Sequence, residues 1–158
     1  MLYVASITTL ANTPASAPLS STLHVTSGLI VDVEFFFPPG SAGLLYMQLL
    51  DSTYQMYPTT LGEALRGDNT LMKYPEMYMK TEPPYSLTVK TWNLDTVYDH
   101  WAQVRISMVS KEEFMARYLP SMQTEAIDAI MAKVSLQQTE TKAAQMEALR
   151  SRFAFFGG

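Results

Sequence analysis

The amino-acid sequence predicts a mainly β protein, an antiparallel β-sandwich of jelly-roll-like form followed by a C-terminal α-helical tail. Between residues 2 and 109, short runs alternate apolar and polar side chains, and proline and glycine turns separate the runs. That pattern is typical of sandwiches and barrels. From Ser110 onward the apolar spacing becomes that of helices. We therefore expect a sandwich domain at residues 1–109 and a tail at residues 110–158 for assembly or partner docking.

The central stretch, residues 23–50, predicts two strands and the turn between them. Pro38, Pro39 and Gly40 end the first strand, because proline cannot donate to a ladder and glycine suits turn dihedrals. Residues 43–50 are apolar on both faces, which predicts a strand covered on both sides. In the first strand one face is expected to carry Val31, Val33, Phe35 and Phe37, and the other Ile30, Asp32, Glu34 and Phe36.

The segments before and after this centre divide into shorter strands and connections. Residues 2–10 predict a first strand, and residues 11–21 form either an extended linker or a surface loop. Residues 51–69 predict a long connection. Pro75 marks residues 70–79 as an edge strand, because an edge position tolerates the missing N–H.

Two further strands complete the predicted sandwich. Tyr85, Leu87 and Val89 alternate with polar residues directly after Pro83 and Pro84. Residues 92–95 predict a turn, and the last strand is expected at about residues 97–109. Its apolar face would carry Val104, Ile106 and Met108.

The tail predicts roughly three helical segments. Ser110 and Glu113 have the spacing of a capping box, and Pro120 should end the first helix. A second helix follows, then a polar stretch at residues 137–142 and a third apolar stripe. The stripes are narrow, which favours pairing with other helices over docking on a sheet. The predicted assembly interface consists of Ile127, Ile130, Val134, Met146, Leu149 and Phe153.

Composition restricts the class of function. The chain has 158 residues, a net charge of −4 and no cysteine. It offers no thiolate chemistry, and its acidic balance argues against nucleic-acid binding. No stretch approaches the roughly 20 apolar residues of a membrane-spanning helix, so we expect no membrane partner. Charged residues are 16% of the chain, below the usual share of roughly 25%. Low charge favours a surface that is covered by other proteins.

Several motifs resemble short β-sandwich virion structural proteins encoded by tailed bacteriophages and prophages. The matching runs are GLIVDVEFFFPPGSAGLLYMQLL, QMYPTT and PPYSLTVKTWNLDTVYDHWAQVRISM, within about residues 25–108. They contain a Pro-Gly turn, Ala-Gly-Leu, a Pro-Thr loop, a Pro-Tyr strand, a Trp-Asn turn and an Asp-His strand. The resemblance does not include the tail. It implies a virion structural role and brings no catalytic residues with it.

The candidate catalytic and metal-binding residues have plainer interpretations. Asp95, Asp99 and His100 include metal-ligand types, but Asp99 and His100 are adjacent in a strand and point to opposite faces. A turn-capping Asp95 and a packed His100 are the favoured interpretation. Asp32 and Glu34 share a strand face at about 7 Å, a spacing that glycosidases use, yet outward strand acids are usually solvated. We therefore expect no enzyme activity, no metal and no cofactor.

Tyrosine and tryptophan residues leave an alternative open. They could form a sugar-binding surface, although packing in the core or at interfaces explains them equally well. The candidate aromatic surface consists of Tyr54, Tyr57, Tyr74 and Tyr78.

The sequence thus predicts a structural component of a bacteriophage virion, either capsid-associated or part of the head-tail or tail structure. Such a protein would be made in the host cytoplasm and act by binding capsid, portal or tail proteins, with homo-oligomerisation expected. The alternative is a carbohydrate-binding β-sandwich module used in host attachment.

Overall fold

A computed structural model describes residues 1–118 and 124–156 and confirms an antiparallel β-sandwich followed by helix. In these residues no helix is long and apolar enough to cross a membrane. The strands are β1 (Leu2–Thr9), β2 (Leu19–His24), β3 (Gly28–Phe37), β4 (Leu45–Asp51), β5 (Tyr54–Tyr57), β6 (Leu65–Arg66), β7 (Thr70–Lys80), β8 (Ser86–Asn93) and β9 (His100–Val109); the helices are α1 (Lys111–Tyr118) and α2 (Thr124–Phe156).

Two sheets pack face to face around one core. The first sheet has the strand order β1-β9-β3-β7, and the second has the order β2-β8-β4-β5, with β6 also paired to β4. Successive strands pass from one sheet to the other except at β4, β5 and β6, which lie together. This is the arrangement of a jelly roll, in which two Greek keys close on each other. The predicted edge position of β7 is confirmed.

Strand β3 shows one difference from the predicted alternation. Ile30 and Val33 are both fully buried, together with Phe35 and Phe37. The register with β9 shifts between Ile30 and Asp32, so Val31 is an extra residue in β3. This bulge turns Val31 outward, where it packs on a second cluster. The prediction that Val31 faces the core and Ile30 faces outward was wrong for this reason.

Strands β3 and β4 lie in different sheets, so the turn between them crosses the edge of the sandwich. Gly40 and Gly43 have φ values of +114° and +74°, which L side chains rarely adopt. The Asp68 carboxylate accepts hydrogen bonds from the backbone N–H of Gly40 (2.6 Å) and Ser41 (3.1 Å). The turn is thus held by a residue from the opposite loop.

Strand β4 is covered less completely than predicted. Leu45, Met47 and Leu49 are fully buried between the sheets, whereas Tyr46 and Gln48 are half-buried on the outer face. The Tyr46 ring stacks on Trp92 of β8 at 5.3 Å. An outer face with polar and aromatic groups is expected for an antiparallel sheet.

Three predicted connections contain strand residues. Residues 51–69 include β5 and β6, and residues 11–21 include the beginning of β2. Trp92 and Asn93, which were predicted to lie in a turn, are the last residues of β8. Strands β5 and β6 escaped prediction because runs of four residues or fewer give too little alternation to recognise.

The tail packs on the sandwich through a small second core. Leu29 and Val109 of the first sheet meet Phe114 of α1 and Met131 of α2 there. The Ser110 hydroxyl accepts the Glu113 backbone N–H at 3.1 Å, which confirms the predicted N-cap. The second and third predicted segments are one helix of 33 residues, α2, which continues through residues 137–142. The predicted break at Pro120 lies outside the described residues.

Candidate functional site

Helix α2 lies across the edge strands of both sheets. The Gln138 side chain accepts the backbone N–H of Met79 in β7 at 2.9 Å and donates to the carbonyl of the same residue at 2.8 Å. Gln145 makes the same pair of bonds with Gln55 in β5, at 2.7 and 3.0 Å. Each amide therefore occupies the place that a neighbouring strand would take.

The spacing of the two glutamines matches the spacing of the sheets. Seven helical residues rise about 10.5 Å, and packed sheets lie about 10 Å apart. Strands β7 and β5 are the edges of the first and second sheets on this side. One helix can therefore satisfy both edges. Arg152, a further seven residues along, reaches the Leu61 carbonyl at 3.5 Å.

The preference for helix pairing over docking on a sheet was wrong, because α2 docks on the sandwich. At the strand edges the contacts of α2 are made by side-chain amides rather than by apolar groups, because the backbone N–H and C=O groups of an edge need hydrogen-bond partners. Met146, a predicted interface residue, accepts the Thr53 hydroxyl at 3.4 Å. The stripe of α2 that is buried or half-buried consists of Met131, Val134, Gln138, Lys142, Gln145 and Leu149.

The predicted interface residues do not form one continuous free seam in the described helix. Val134 and Leu149 are half-buried in the stripe just named, and Ile130 is exposed. The side chains of Ile127 and Phe153 lie outside the described residues. An assembly role for the exposed part of the tail stays a prediction.

We predict that Gln138→Ala and Gln145→Ala together loosen α2 without unfolding the sandwich. Each change removes two hydrogen bonds, and a typical bond contributes about 0.5–1.5 kcal/mol net. Amide hydrogen exchange of α2 should accelerate by at least about tenfold, while exchange in β3 and β9 stays slow. Gln137→Ala, one position away and exposed, is the matched control. Equal protection of α2 in the double variant and in the control would contradict the capping role.

A buried charge cluster lies beneath α2. Asp51 at the end of β4 is 5% exposed, and Lys80 at the end of β7 is 4% exposed. The Asp51 carboxylate accepts hydrogen bonds from Lys80 (2.6 Å), Tyr78 (2.5 Å) and Lys142 of α2 (3.1 Å). The cluster therefore joins the two sheets and the helix at a single carboxylate.

The hydrogen bonds of this cluster fix the charge of Asp51. Burial by itself raises the pKa of Asp51, but the bonds from Lys80, Tyr78 and Lys142 outweigh it and lower the pKa below its ordinary value. Burial, followed by the bond to Asp51, raises the pKa of Tyr78. The carboxylate thus stays ionised with three donors on it, so it is not available as a general base.

The four tyrosines of the candidate aromatic surface lie between the sheet edges and pack on other groups. Tyr78 is buried and stacks on Tyr54 at 6.1 Å, and the Lys142 ammonium lies 5.1 Å from the Tyr78 ring. Tyr57 packs on Tyr74 at 5.3 Å and donates to Glu76 at 2.5 Å. Tyr78 therefore cannot belong to a sugar-binding surface. The other three tyrosines are half-buried.

A cavity of about 410 Å³ lies between α2 and the sandwich. Four charged residues line the cavity: Asp51, Lys80, Glu82 and Lys142. Of these, Asp51 and Lys80 form an ion pair with each other. Most of its other polar groups are hydroxyls, from Ser52, Thr53, Thr81, Ser135 and Thr139. The lining contains no histidine, and its two carboxylates are Asp51, which is paired with Lys80, and Glu82.

Asp95 organises the loop between β8 and β9. Its carboxylate accepts the backbone N–H of Val97 (2.8 Å) and of Tyr98 (3.1 Å), and it contacts His100 Nε2 at 2.9 Å. The backbone bond from Val97, then the His100 and Tyr98 bonds, lower the pKa of Asp95. Asp99 instead accepts the N–H of Ala11 at 2.8 Å. The turn-capping Asp95 and the packed His100 are confirmed.

The acids of β3 lie on the outer face of the first sheet, as predicted. Glu34 forms ion pairs with Lys73 of β7 at 3.1 Å and with Arg105 of β9 at 3.6 Å. Asp32 lies 3.8 Å from the same lysine. These contacts describe an ordinary charged strip across three strands. Within the parts of the chain that the structure covers, no group of three His, Asp or Glu side chains could hold a metal ion.

A group of exposed apolar side chains, which sequence reasoning did not single out, surrounds the Asp95 loop. We call these four residues, between 47% and 69% exposed, the loop-end apolar surface: Leu10, Leu94, Val97 and Tyr98. Backbone bonds join their two loops, because Asn12 donates to the carbonyl of Asp95 at 2.8 Å. The Asn12 side chain also donates a hydrogen bond to the Thr96 carbonyl at 3.0 Å. These side chains thus project from loops that are fixed to each other.

Comparisons of the chain with models of protein families, with curated proteins and with solved structures found no match.

Proposed function

We propose that this protein is a structural component of a bacteriophage virion that binds other virion proteins through the loop-end apolar surface. The observation that carries the proposal is the exposure of four large apolar side chains on loops held by hydrogen bonds. Three of the four, Leu94, Val97 and Tyr98, are neighbours along one loop, and neighbouring exposed apolar groups are typical of protein interaction sites.

The rigidity of these loops favours binding. Val97 and Tyr98 themselves carry the two backbone N–H groups that the Asp95 carboxylate accepts. A surface that is already in its bound shape loses little conformational entropy on association. Tyrosine is also among the residues that contribute most to interfaces. The loop is therefore suited to a permanent contact in a particle.

Three general features agree with this role. Charged residues are 16% of the chain, which suits a protein largely covered by neighbours. Jelly rolls occur in viral capsid and lectin domains, although a fold alone does not determine a function. The resemblance to phage virion proteins over about residues 25–108 includes the loop that carries Leu94, Val97 and Tyr98.

The double change Val97→Ser and Tyr98→Ser tests the proposal. Burying a large apolar side chain contributes about 1.5–3 kcal/mol, so losing two should weaken the contact by well over tenfold. Quantitative mass spectrometry should detect the wild-type protein in purified particles of the encoding phage and a much reduced amount of the variant. Leu71→Ser, at a position of β7 that is 56% exposed, is the control that should incorporate normally.

Two results would count against the virion role. One is the absence of the wild-type protein from particles made in cells that express it. The other is incorporation of the folded double variant at the wild-type level, which would remove the loop-end apolar surface from the proposal. Thermal unfolding of each variant shows whether the sandwich is intact.

Carbohydrate binding is the second candidate, and one observation favours it. The Trp101 indole is exposed on the outer face of the first sheet, with the Phe36 ring edge-on at 6.0 Å. Exposed aromatic faces are suited to stacking on sugar rings. If this candidate holds, a glycan array should show binding that Trp101→Ala abolishes and that the Val97 and Tyr98 changes leave in place.

A further inference from the structure

The two sides of the sandwich differ in how their strand edges are protected. On the β5 and β7 side, Gln145 and Gln138 occupy backbone groups of the edges. Further along β7, the Glu76 carboxylate accepts the N–H of Met77 at 2.9 Å. Pro75 has no N–H to offer. Side chains, a proline and a helix thus block this side against further strands.

Strand β1 forms the edge of the first sheet on the opposite side and has none of these devices. Its sequence, LYVASITT, contains no charged residue and no proline. Natural edge strands are usually protected by charge, proline, bulges or a covering element. The pairing of β1 with β9 runs without a register shift over all eight residues, so β1 has no bulge either.

The register shows which backbone groups of β1 point outward. Met1 exchanges both backbone hydrogen bonds with Met108 of β9. In an antiparallel ladder such pairs alternate, so odd-numbered residues bond to β9 and even-numbered ones face the open edge. Val4, Ser6 and Thr8 therefore direct N–H and C=O groups away from the sheet. Leu2 and Val4 also have exposed side chains on its outer face.

We infer that β1 is an interface for a second copy of this chain, paired antiparallel with its own β1 across a two-fold axis. Centring the axis on Ala5 places Leu2 opposite Thr8, and Val4 opposite Ser6, in hydrogen-bonded positions. Four such pairs exchange about eight hydrogen bonds in all. The first sheets of two copies would then form one sheet of eight strands, because each contributes four.

A second copy is the occupant that the chemistry of β1 favours. Near the two-fold axis such a pairing brings each residue close to its own copy, so a charge there would lie near a like charge. Strand β1 has none, whereas β7 has Lys73, Glu76 and Lys80. Isologous contacts of this kind are also the commonest in symmetric oligomers. The interface does not depend on the virion role, so either proposal can fail without the other.

Substitutions at Ser6 separate the backbone contact from the side chain. Ser6→Pro removes an outward N–H that β9 does not use, and Ser6→Ala keeps that N–H. Both lose the hydrogen bond that the Ser6 hydroxyl accepts from Gln103 at 2.8 Å. The full-length protein should sediment as a dimer of the 17.7 kDa chain. We expect Ser6→Pro to raise the dimer dissociation constant by at least about tenfold, and Ser6→Ala to change it little.

Val4→Lys is a second variant in case Ser6→Pro disturbs folding. Two copies of this lysine would lie close together at the two-fold contact, so the dimer should again dissociate. Gln103→Lys adds the same charge on the same face, but on an inner strand, and should remain dimeric. A wild-type protein that stays monomeric at all concentrations would overturn the inference. So would a dimer that tolerates Val4→Lys, or one that Ser6→Ala weakens as much as Ser6→Pro.

Discussion

Replacing Asp51 with alanine should lower the free energy of unfolding by about 3–5 kcal/mol, the usual effect of breaking a buried ion pair. The change leaves the Lys80 ammonium buried without its carboxylate, and it removes the acceptor of the Tyr78 hydroxyl. Lys142 would lose its bond to the sandwich as well. Urea unfolding monitored by tryptophan fluorescence measures the loss.

Glu34→Ala is the matched control for Asp51→Ala. Glu34 also has two cationic partners, Lys73 and Arg105, but all three lie on the outer face of the sheet. Exposed ion pairs contribute about 0–1 kcal/mol, so this variant should be nearly as stable as the wild type. A loss at Asp51 that is no larger than the loss at Glu34 would show that the buried cluster does not hold the sheets and helix together.

The same carboxylate makes stability depend on pH with a definite sign. The folded-state pKa of Asp51 lies below the ordinary value of 3.8. A depressed pKa contributes stability that is fully present above the unfolded-state value and is lost as the pH falls through the folded-state value. Wild-type stability should therefore decline below about pH 4 more steeply than that of Asp51→Asn. Asp95 titrates in the same window in both proteins and cancels in the comparison.

The elements that could be predicted from sequence are those whose determinants are local. The alternation in β8 and β9, the edge position that Pro75 marks in β7, and the N-cap at Ser110 each depend on residues next to one another. The bulge at Val31 could not be predicted, because only the shifted pairing with β9 reveals it. Alternation alone assigns faces correctly until a bulge reverses them.

The contacts of α2 escaped prediction for a different reason. An amphipathic helix is recognised by its apolar residues, whereas Gln138 and Gln145 bind strand edges through amide groups. From sequence alone Asp51 is interpreted as a turn residue. Its partners Lys80 and Lys142 contact it in the fold but lie 29 and 91 positions away in sequence. Long-range polar pairing leaves no periodic signal in a single sequence.

The exposure of the loop-end apolar surface was also beyond sequence reasoning. Leu94, Val97 and Tyr98 stand beside residues that cap a turn, and nothing in their spacing shows whether they are buried or exposed. The Asp95 carboxylate decides this, because it holds the loop in a shape that projects them. The capping role could be inferred from the residue type, whereas the exposure of the neighbouring side chains depends on the three-dimensional shape of the loop.

Two neighbouring phenylalanines provide the sharpest test of the strand register. Phe35 is fully buried and meets the rings of Tyr57 at 5.5 Å and Tyr74 at 6.3 Å. Phe36 is half-buried on the opposite face, with Trp101 as its ring partner. Phe35→Ala should cost about 3–5 kcal/mol, the usual range for a buried phenylalanine that leaves a cavity. Phe36→Ala should cost about 1–2 kcal/mol, since it loses one aromatic contact and part of its buried area.

The comparison of these two variants is informative because both replace a phenylalanine of the same strand with alanine, so the change in strand propensity is the same. Equilibrium unfolding in urea should give similar m-values for both, so the midpoints report the difference directly. A one-residue slip of β3 after the bulge would exchange the two faces. Phe36→Ala would then be the more damaging change, and the assignment of Phe35 to the core between the sheets would be wrong. The expected order of the midpoints is therefore Phe35→Ala lowest, then Phe36→Ala, then the wild type.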